Sequence, residues 1–137
     1  MTDILAIYCC GCGQDVAAFL TSGENVYSNR EDLAKKPFWR CDQCRNFVGC
    51  HDKTKTPTKP LGCIPTPKIK NARRHIHKLI DPLWQNWPEP FRARAWIYRW
   101  LSGKLGYQYH TAEIRSVEEA RKIYKLCLSI KKVEDCQ

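Results

Sequence analysis

Apolar positions follow two different rhythms along this 137-residue chain, one before about residue 67 and one after it. In the first part the apolar runs are short. Val16-Ala17-Ala18-Phe19-Leu20 is followed by a polar stretch with Gly23, Asn25 and Asn29, and then by Pro37-Phe38-Trp39-Arg40. Gly and Asn punctuate turns and an aromatic run favours strand, so residues 7–50 are expected to form a small β-rich module. Between Asp52 and Pro67 the chain carries Pro57, Pro60, Pro65 and Pro67 among Lys and Thr. Proline denies both helix continuation and central-strand pairing, which predicts an extended connector over 52–66.

From residue 67 the spacing becomes helical. Thr66-Pro67 offers an N-cap followed by proline at the first helical position, and Ile69, Ala72, Ile76, Leu79, Ile80 and Leu83 predict a helix over 67–84. A second helix is expected from Phe91 to about Lys104, with Phe91, Ala95, Tyr98, Leu101 and Leu105 on its inner face and Gly106 as C-cap. A third is expected from Ser116, where Ser116-x-x-Glu119 reads as a capping box, with Ala120, Ile123, Tyr124, Cys127 and Leu128 facing inward. No run of about 18 apolar residues occurs, and the first residues lack a basic n-region and a signal-length apolar stretch, so a soluble cytoplasmic protein with no membrane contact is expected.

The cysteines change the reading of the first part. Nine are present, six of them within the first 50 positions. Clustered thiols in a chain with no export signal read as metal ligands before disulfides. Cys9-x-x-Cys12-Gly13 and Cys41-x-x-Cys44 have the spacing of two metal knuckles, in which two sulfurs and nearby backbone amides face one ion. The expectation is therefore one structural Zn²⁺ held by Cys9, Cys12, Cys41 and Cys44. The 28 residues between the pairs exceed the usual separation, so a loop over Gly23 to Lys36 is expected as an insertion. Cys10 could replace Cys9 only by shortening the spacing, Cys50 and His51 are further ligand-capable residues, and Cys63, Cys127 and Cys136 read as buried thiols. Together these features predict an α+β chain: a zinc ribbon of β-hairpins over 1–51, the basic connector over 52–66, and about three helices over 67–137 packed with the ribbon.

Charge adds a partner class. The formal net charge is +9, and between Arg30 and Lys78 there are 13 basic residues against 4 acidic ones, so the excess is local. Four thiolates and one Zn²⁺ lower the total only to about +7. A concentrated positive segment points to nucleic acid, DNA or RNA, or to an acidic protein surface, although a solvated basic face explains the same pattern.

The order CxxCG, an aromatic before CxxCxxxVGxH (Trp39, Cys41, Cys44, Val48, Gly49, His51), Pro60-Leu61-Gly62, Arg74, His77, Asp81-Pro82-Leu83-Trp84, Tyr98-x-Trp100-Leu101 and His110 resembles a small zinc-finger-containing family of phages and prophages. It covers roughly residues 7–128 and implies a phage-derived, zinc-binding protein of the host cytoplasm, with no biochemical activity attached. The chain departs from the pattern at Cys63–Pro67 and at Thr111-Ala112.

Three functional expectations follow. The first is a non-enzymatic nucleic-acid-binding accessory protein in which Arg40, Arg45, Lys53, Lys55, Lys59, Lys68, Lys70, Arg73, Arg74 and Lys78 contact phosphates, with Phe38, Trp39 and Phe47 either stacking on bases or filling the ribbon core. The second is an effector that binds a host protein through its tryptophan-rich helices. The third is a metal-dependent nuclease using His51, His77, Asp81 or His110. The four-residue step from His77 to Asp81 lets the carboxylate orient the imidazole, which serves a general base or a structural hydrogen bond equally well.

Overall fold

The computed structural model describes the backbone of residues 3–27 and 29–135 and the side chains as far as Ile130. The chain is α+β and divides into two compact units, Met1–Pro67 and Lys68–Gln137.

The first unit is built on a four-stranded antiparallel meander: β1 (Ile4–Cys9), β2 (Gln14–Ser22), β3 (Pro37–Arg40) and β4 (Phe47–Gly49), in that spatial order. Period-two alternation sorts its side chains. Ile7 and Cys9 of β1, Val16, Ala18 and Leu20 of β2, Trp39 and the following Cys41, and Val48 and the following Cys50 share one face and form the core together with Ile64. The register carries this across the sheet, with Ile7 opposite Val16, Leu20 opposite Trp39, and Trp39 opposite Val48. On the alternate positions, Phe38 and Phe47 meet each other and Tyr27 of the loop after β2 in three edge-on ring contacts with centroids 5.1–5.7 Å apart. Phe38 and Trp39 are both buried, so these two are sheet core and offer no face for base stacking.

The expected insertion closes on itself. Two short 3₁₀ turns (Gly23–Asn25 and Glu31–Leu33) lie between β2 and β3, and Gly23 N–H and Glu24 N–H donate to Lys36 O and Ala34 O at 2.9 and 3.1 Å. A β-carbon at Gly23 would fall 1.7 Å from Leu33 O, so the position admits only glycine.

Residues 52–66 correct the expectation of an extended connector. They fold back onto the sheet: His51 N–H donates to Lys59 O at 2.9 Å, Leu61 N–H to Gly49 O at 2.9 Å, and the Trp39 indole N–H to Thr58 O at 2.7 Å. Ile64 then bridges β1 in parallel fashion, its N–H donating to Tyr8 O and its carbonyl accepting from Cys10 N–H, both at 2.8 Å. The prolines here interrupt regular structure without freeing the segment, because the carbonyls and amides between them still pair.

The second unit carries α1 (Pro67–Gln85), α2 (Pro90–Leu105) and α3 (Val117–Asp135). The inner stripe of α1 is Ile69, Arg73, Ile76, Ile80 and Leu83, with only Arg73 departing from the apolar pattern. For α2 the expected inner face holds at Leu101 and is corrected at its start: Ile97 is buried beside Leu101, whereas Phe91 is 85% exposed and Ala95 faces solvent. For α3 the stripe is Ala120, Ile123, Cys127 and Ile130, a three-four-three spacing that leaves Tyr124 and Leu128 outside. Gly106 ends α2 in the left-handed conformation (φ 82°), its N–H donating to Ser102 O, as expected for a C-cap. Half of the capping box forms as expected, since Glu119 N–H donates to Ser116 Oγ at 3.1 Å. The Glu119 carboxylate reaches one residue further back, accepting from Arg115 N–H at 2.8 Å and from the Tyr107 hydroxyl at 2.5 Å.

Candidate metal centre

β1 delivers Cys9 at its last position and the turn into β2 delivers Cys12. β3 runs out at Arg40, so Cys41 and Cys44 occupy the turn into β4. Two hairpin turns therefore meet at one end of the sheet. Each closes the same way, with Gly13 N–H donating to Cys9 O and Arg45 N–H to Cys41 O, both at 2.8 Å. In both knuckles the residue after the second cysteine is left-handed: Gly13 at φ 70° and Arg45 at φ 63°. Glycine takes that conformation without strain, and arginine holds it at a cost of about 1 kcal/mol.

The four Sγ atoms lie within 4.8 Å of one another, with Cys9 Sγ 3.3 Å from Cys44 Sγ and Cys12 Sγ 3.6 Å from Cys41 Sγ. Four thiolates at Zn–S of about 2.3 Å in a tetrahedron sit about 3.8 Å apart, so the donor set fits this ion by number, by softness and by spacing. Cys9 and Cys41 are buried and Cys12 and Cys44 half-buried. Burial, reinforced by the hydrogen bond with Cys44, pushes the Cys9 thiol up to about 12. The Cys12 thiol also rises, chiefly through its hydrogen bond with Cys41. At Cys41 burial acts upward too, but amide hydrogen bonds from Cys44 and Gln43 outweigh it and hold the thiol below its ordinary value. A divalent cation bound by the four sulfurs displaces their protons, which makes the group a tetrathiolate. With four protein sulfurs the coordination is closed, and the zinc is structural.

The remaining thiols fall where packing puts them. Cys50 and Cys63 are buried and Cys10 half-buried, and Cys10 Sγ lies 3.9 Å from Cys63 Sγ, apart from the tetrathiolate group. Cys127 is wholly buried in the helical unit, and Cys136 lies outside the described residues.

The basic residues divide between the two units. In the first, Lys53, Lys55 and Lys59 are exposed on the turns between His51 and Pro60, and Arg45 is exposed at the second knuckle. Arg40 is half-buried, with its Nε 3.5 Å from the Asp42 carboxylate. In the second unit Lys68, Arg74 and Lys78 are exposed on α1, and Lys70 is half-buried on the same outward side. Arg73 is a correction. It is 8% exposed, and its Nε and an Nη donate to Ile114 O at 3.2 and 2.6 Å, so this guanidinium holds the α2–α3 connection and offers nothing to a phosphate. Its place four residues after Ile69 and three before Ile76, on the inner stripe, is the sequence signal that separates it from Arg74.

His77 and Asp81 do meet, with Nδ1 3.4 Å from Oδ1, but on an exposed helix surface where the same Oδ1 also accepts from the Trp84 indole N–H at 3.2 Å. His51 is half-buried in the first unit and His110 exposed before the 3₁₀ turn Thr111–Glu113 of the second. Among the described residues, the four cysteines are the one group of three or more His, Cys, Asp or Glu side chains gathered closely enough for a metal. The hydrolytic-metal expectation for His51, His77, Asp81 and His110 gains no such group. No helix among the described residues is long and apolar enough to cross a membrane.

In comparison with known proteins, a family described as a zinc-finger-containing domain matches residues 5–132. No curated protein and no solved structure gives a match.

Proposed function

The chain belongs to the zinc-finger-containing domain family, and we propose that it is a zinc-stabilised accessory protein that associates with nucleic acid through its basic segment. The supporting observation is the turn stretch carrying Lys53, Lys55 and Lys59. Three exposed ammonium groups stand on backbone that the Trp39 indole, His51 N–H and Leu61 N–H tie to the zinc-bearing sheet. The nearby acid, Asp52, lies 3.8 Å from Lys36 Nζ, so it is already opposed by a cation outside the three. Pre-ordered backbone lowers the cost of presenting charge to a phosphate chain. Lys70, Arg74 and Lys78, one helical turn apart on the outward side of α1, form a second cationic row. The setting that the family resemblance supports is a phage-infected host cytoplasm.

Fluorescence anisotropy of the zinc-loaded protein with a labelled oligonucleotide, repeated across a salt series, tests this. Binding is expected to weaken linearly in log–log form with salt. The triple change Lys53→Ala/Lys55→Ala/Lys59→Ala is expected to reduce that slope by roughly one unit for each phosphate no longer neutralised. Affinity indifferent to salt overturns the reading.

A further inference from the structure

Helix α2 contains no acidic residue, and its outward side carries large exposed rings. Phe91, Arg92, Ala95, Trp96, Arg99 and Gly103 are all exposed and follow one another at three- and four-residue steps, so they occupy two adjacent rows opposite buried Ile97 and Leu101. Phe91 is 85% and Trp96 55% exposed, and Trp87, just before the helix, is 51% exposed. Large rings in this density are not needed for the fold, because the inner face is already filled by Ile97 and Leu101. Arg92 is held lightly, 3.2 Å from Glu89 in an exposed pair, and among the described residues no ion pair engages Arg99. On the same helix the guanidinium of Arg94 lies 4.3 Å from the Tyr98 ring centroid and 6.0 Å from that of Trp84, and Lys104 Nζ lies 5.5 Å from Trp100. Two cations of the helix thus already lie beside aromatic rings.

We infer that this face of α2 is a stacking platform for single-stranded nucleic acid. Flat apolar rings alternating with arginines match a ligand that alternates flat bases with phosphates, whereas a duplex hides its base faces in the stack and offers the rings nothing. Charge complementarity selects a polyanion, and the exposed rings select one with unpaired bases. The inference rests on the proposed association with nucleic acid and narrows it to strands whose bases are free, with the phosphate-binding lysines of the zinc unit acting independently of strandedness.

The test compares the zinc-loaded wild type with Phe91→Ala/Trp96→Ala, both changes being at exposed positions that leave the inner face untouched. Each protein is titrated with labelled oligothymidylate and with a duplex of equal length, and separately with phosphatidylcholine–phosphatidylserine vesicles. The expected result is a loss of oligothymidylate affinity of at least about fivefold per ring removed, with duplex binding unchanged. Quenching of tryptophan emission on oligothymidylate binding is expected in the wild type and reduced in the variant. Equal affinity of wild type and variant for oligothymidylate overturns the platform, and so does equal weakening towards both nucleic acids. If salt-sensitive binding persists in either case, the proposed function survives without the platform. Vesicle binding that the double variant abolishes, with oligothymidylate binding unaffected, assigns the face to anionic lipid and overturns the inference. Absence of binding to both nucleic acids removes the proposed function and the platform together.

Discussion

The two units of this chain solve the problem of a small core in opposite ways. The zinc unit buries Ile7, Ala18, Phe38, Trp39, Val48 and Ile64, with half-buried Val16 and Leu20 beside them and Cys9, Cys41, Cys50 and Cys63 filling much of the remainder. Residues 3–67 with so few large apolar side chains cannot offset the entropy of ordering several long turns, and a metal cross-link between two hairpins supplies what burial does not. The helical unit buries Ile69, Ile76, Ile80, Leu83, Ile97, Leu101, Ile114, Ile123 and Ile130, with Tyr109 sharing a 2.7 Å hydroxyl hydrogen bond with Thr111. Its buried guanidinium, Arg73, donates two hydrogen bonds to the Ile114 carbonyl. One unit is held by coordination and the other by packing, so each should fail under conditions the other survives.

The largest break in that symmetry is metal removal. A structural tetrathiolate zinc contributes on the order of 10 kcal/mol to folding, so chelation or Cys41→Ser is expected to unfold the sheet unit outright. Far-ultraviolet circular dichroism should keep its helical signal, while amide exchange across β1–β4 becomes complete. Protection retained in β2 and β3 of the metal-free protein would show that burial alone suffices.

Alkaline pH should act the other way, on the helical unit. Burial pushes the Cys127 thiol up to about 12. Burial, then the hydrogen bond to Glu119, does the same for the Tyr107 hydroxyl. Both groups are raised in the folded state, so their neutral forms favour folding below the unfolded value near 9 or 10. That contribution is lost as pH climbs toward 12, because the unfolded chain ionises first. At two pH units above the unfolded thiol value the Cys127 share amounts to about 3 kcal/mol. Thermal melts of the zinc-loaded protein between pH 8 and pH 11 should show the helical transition falling, and Cys127→Ala should flatten the dependence. An unchanged slope in that variant would remove Cys127 from the account.

The smallest effect compares the two knuckles with each other. Arg45→Gly relieves a left-handed side-chain-bearing residue and is expected to raise the stability of the zinc unit by about 0.5–1 kcal/mol, whereas Gly13→Ala at the matching position lowers it by a similar amount. Zinc-competition titrations with a chromophoric chelator resolve both, and equal affinities across the three proteins would show the turns to be unstrained.

How much of this was legible follows from the range of the interactions involved. The cysteine pairs could be read directly, because a knuckle is a local object of four residues whose spacing is its geometry. The three helices were legible for the same reason, down to the Gly106 cap. The inner face of α2 was not. Phe91 and Ala95 extend a helical stripe through Leu101 as well as Ile97 does, and periodicity cannot say which apolar row beside Leu101 meets a neighbour. The fold-back of residues 52–66 was hidden too, since it depends on the Trp39 indole and the edge of β1, partners many residues away in sequence.

The sequence by itself determined what lies within a few residues along the chain: two metal knuckles, alternating strands, capped helices and a positive segment, each fixed by spacing and residue chemistry. Tertiary structure alone decided that Cys10 comes to lie beside Cys63, that Arg73 serves a carbonyl while Arg74 faces water, and that the aromatic row of α2 stays uncovered. Those outcomes depend on which surfaces come into contact, and contact between distant segments is set by the packing of the whole unit rather than by any short stretch of it.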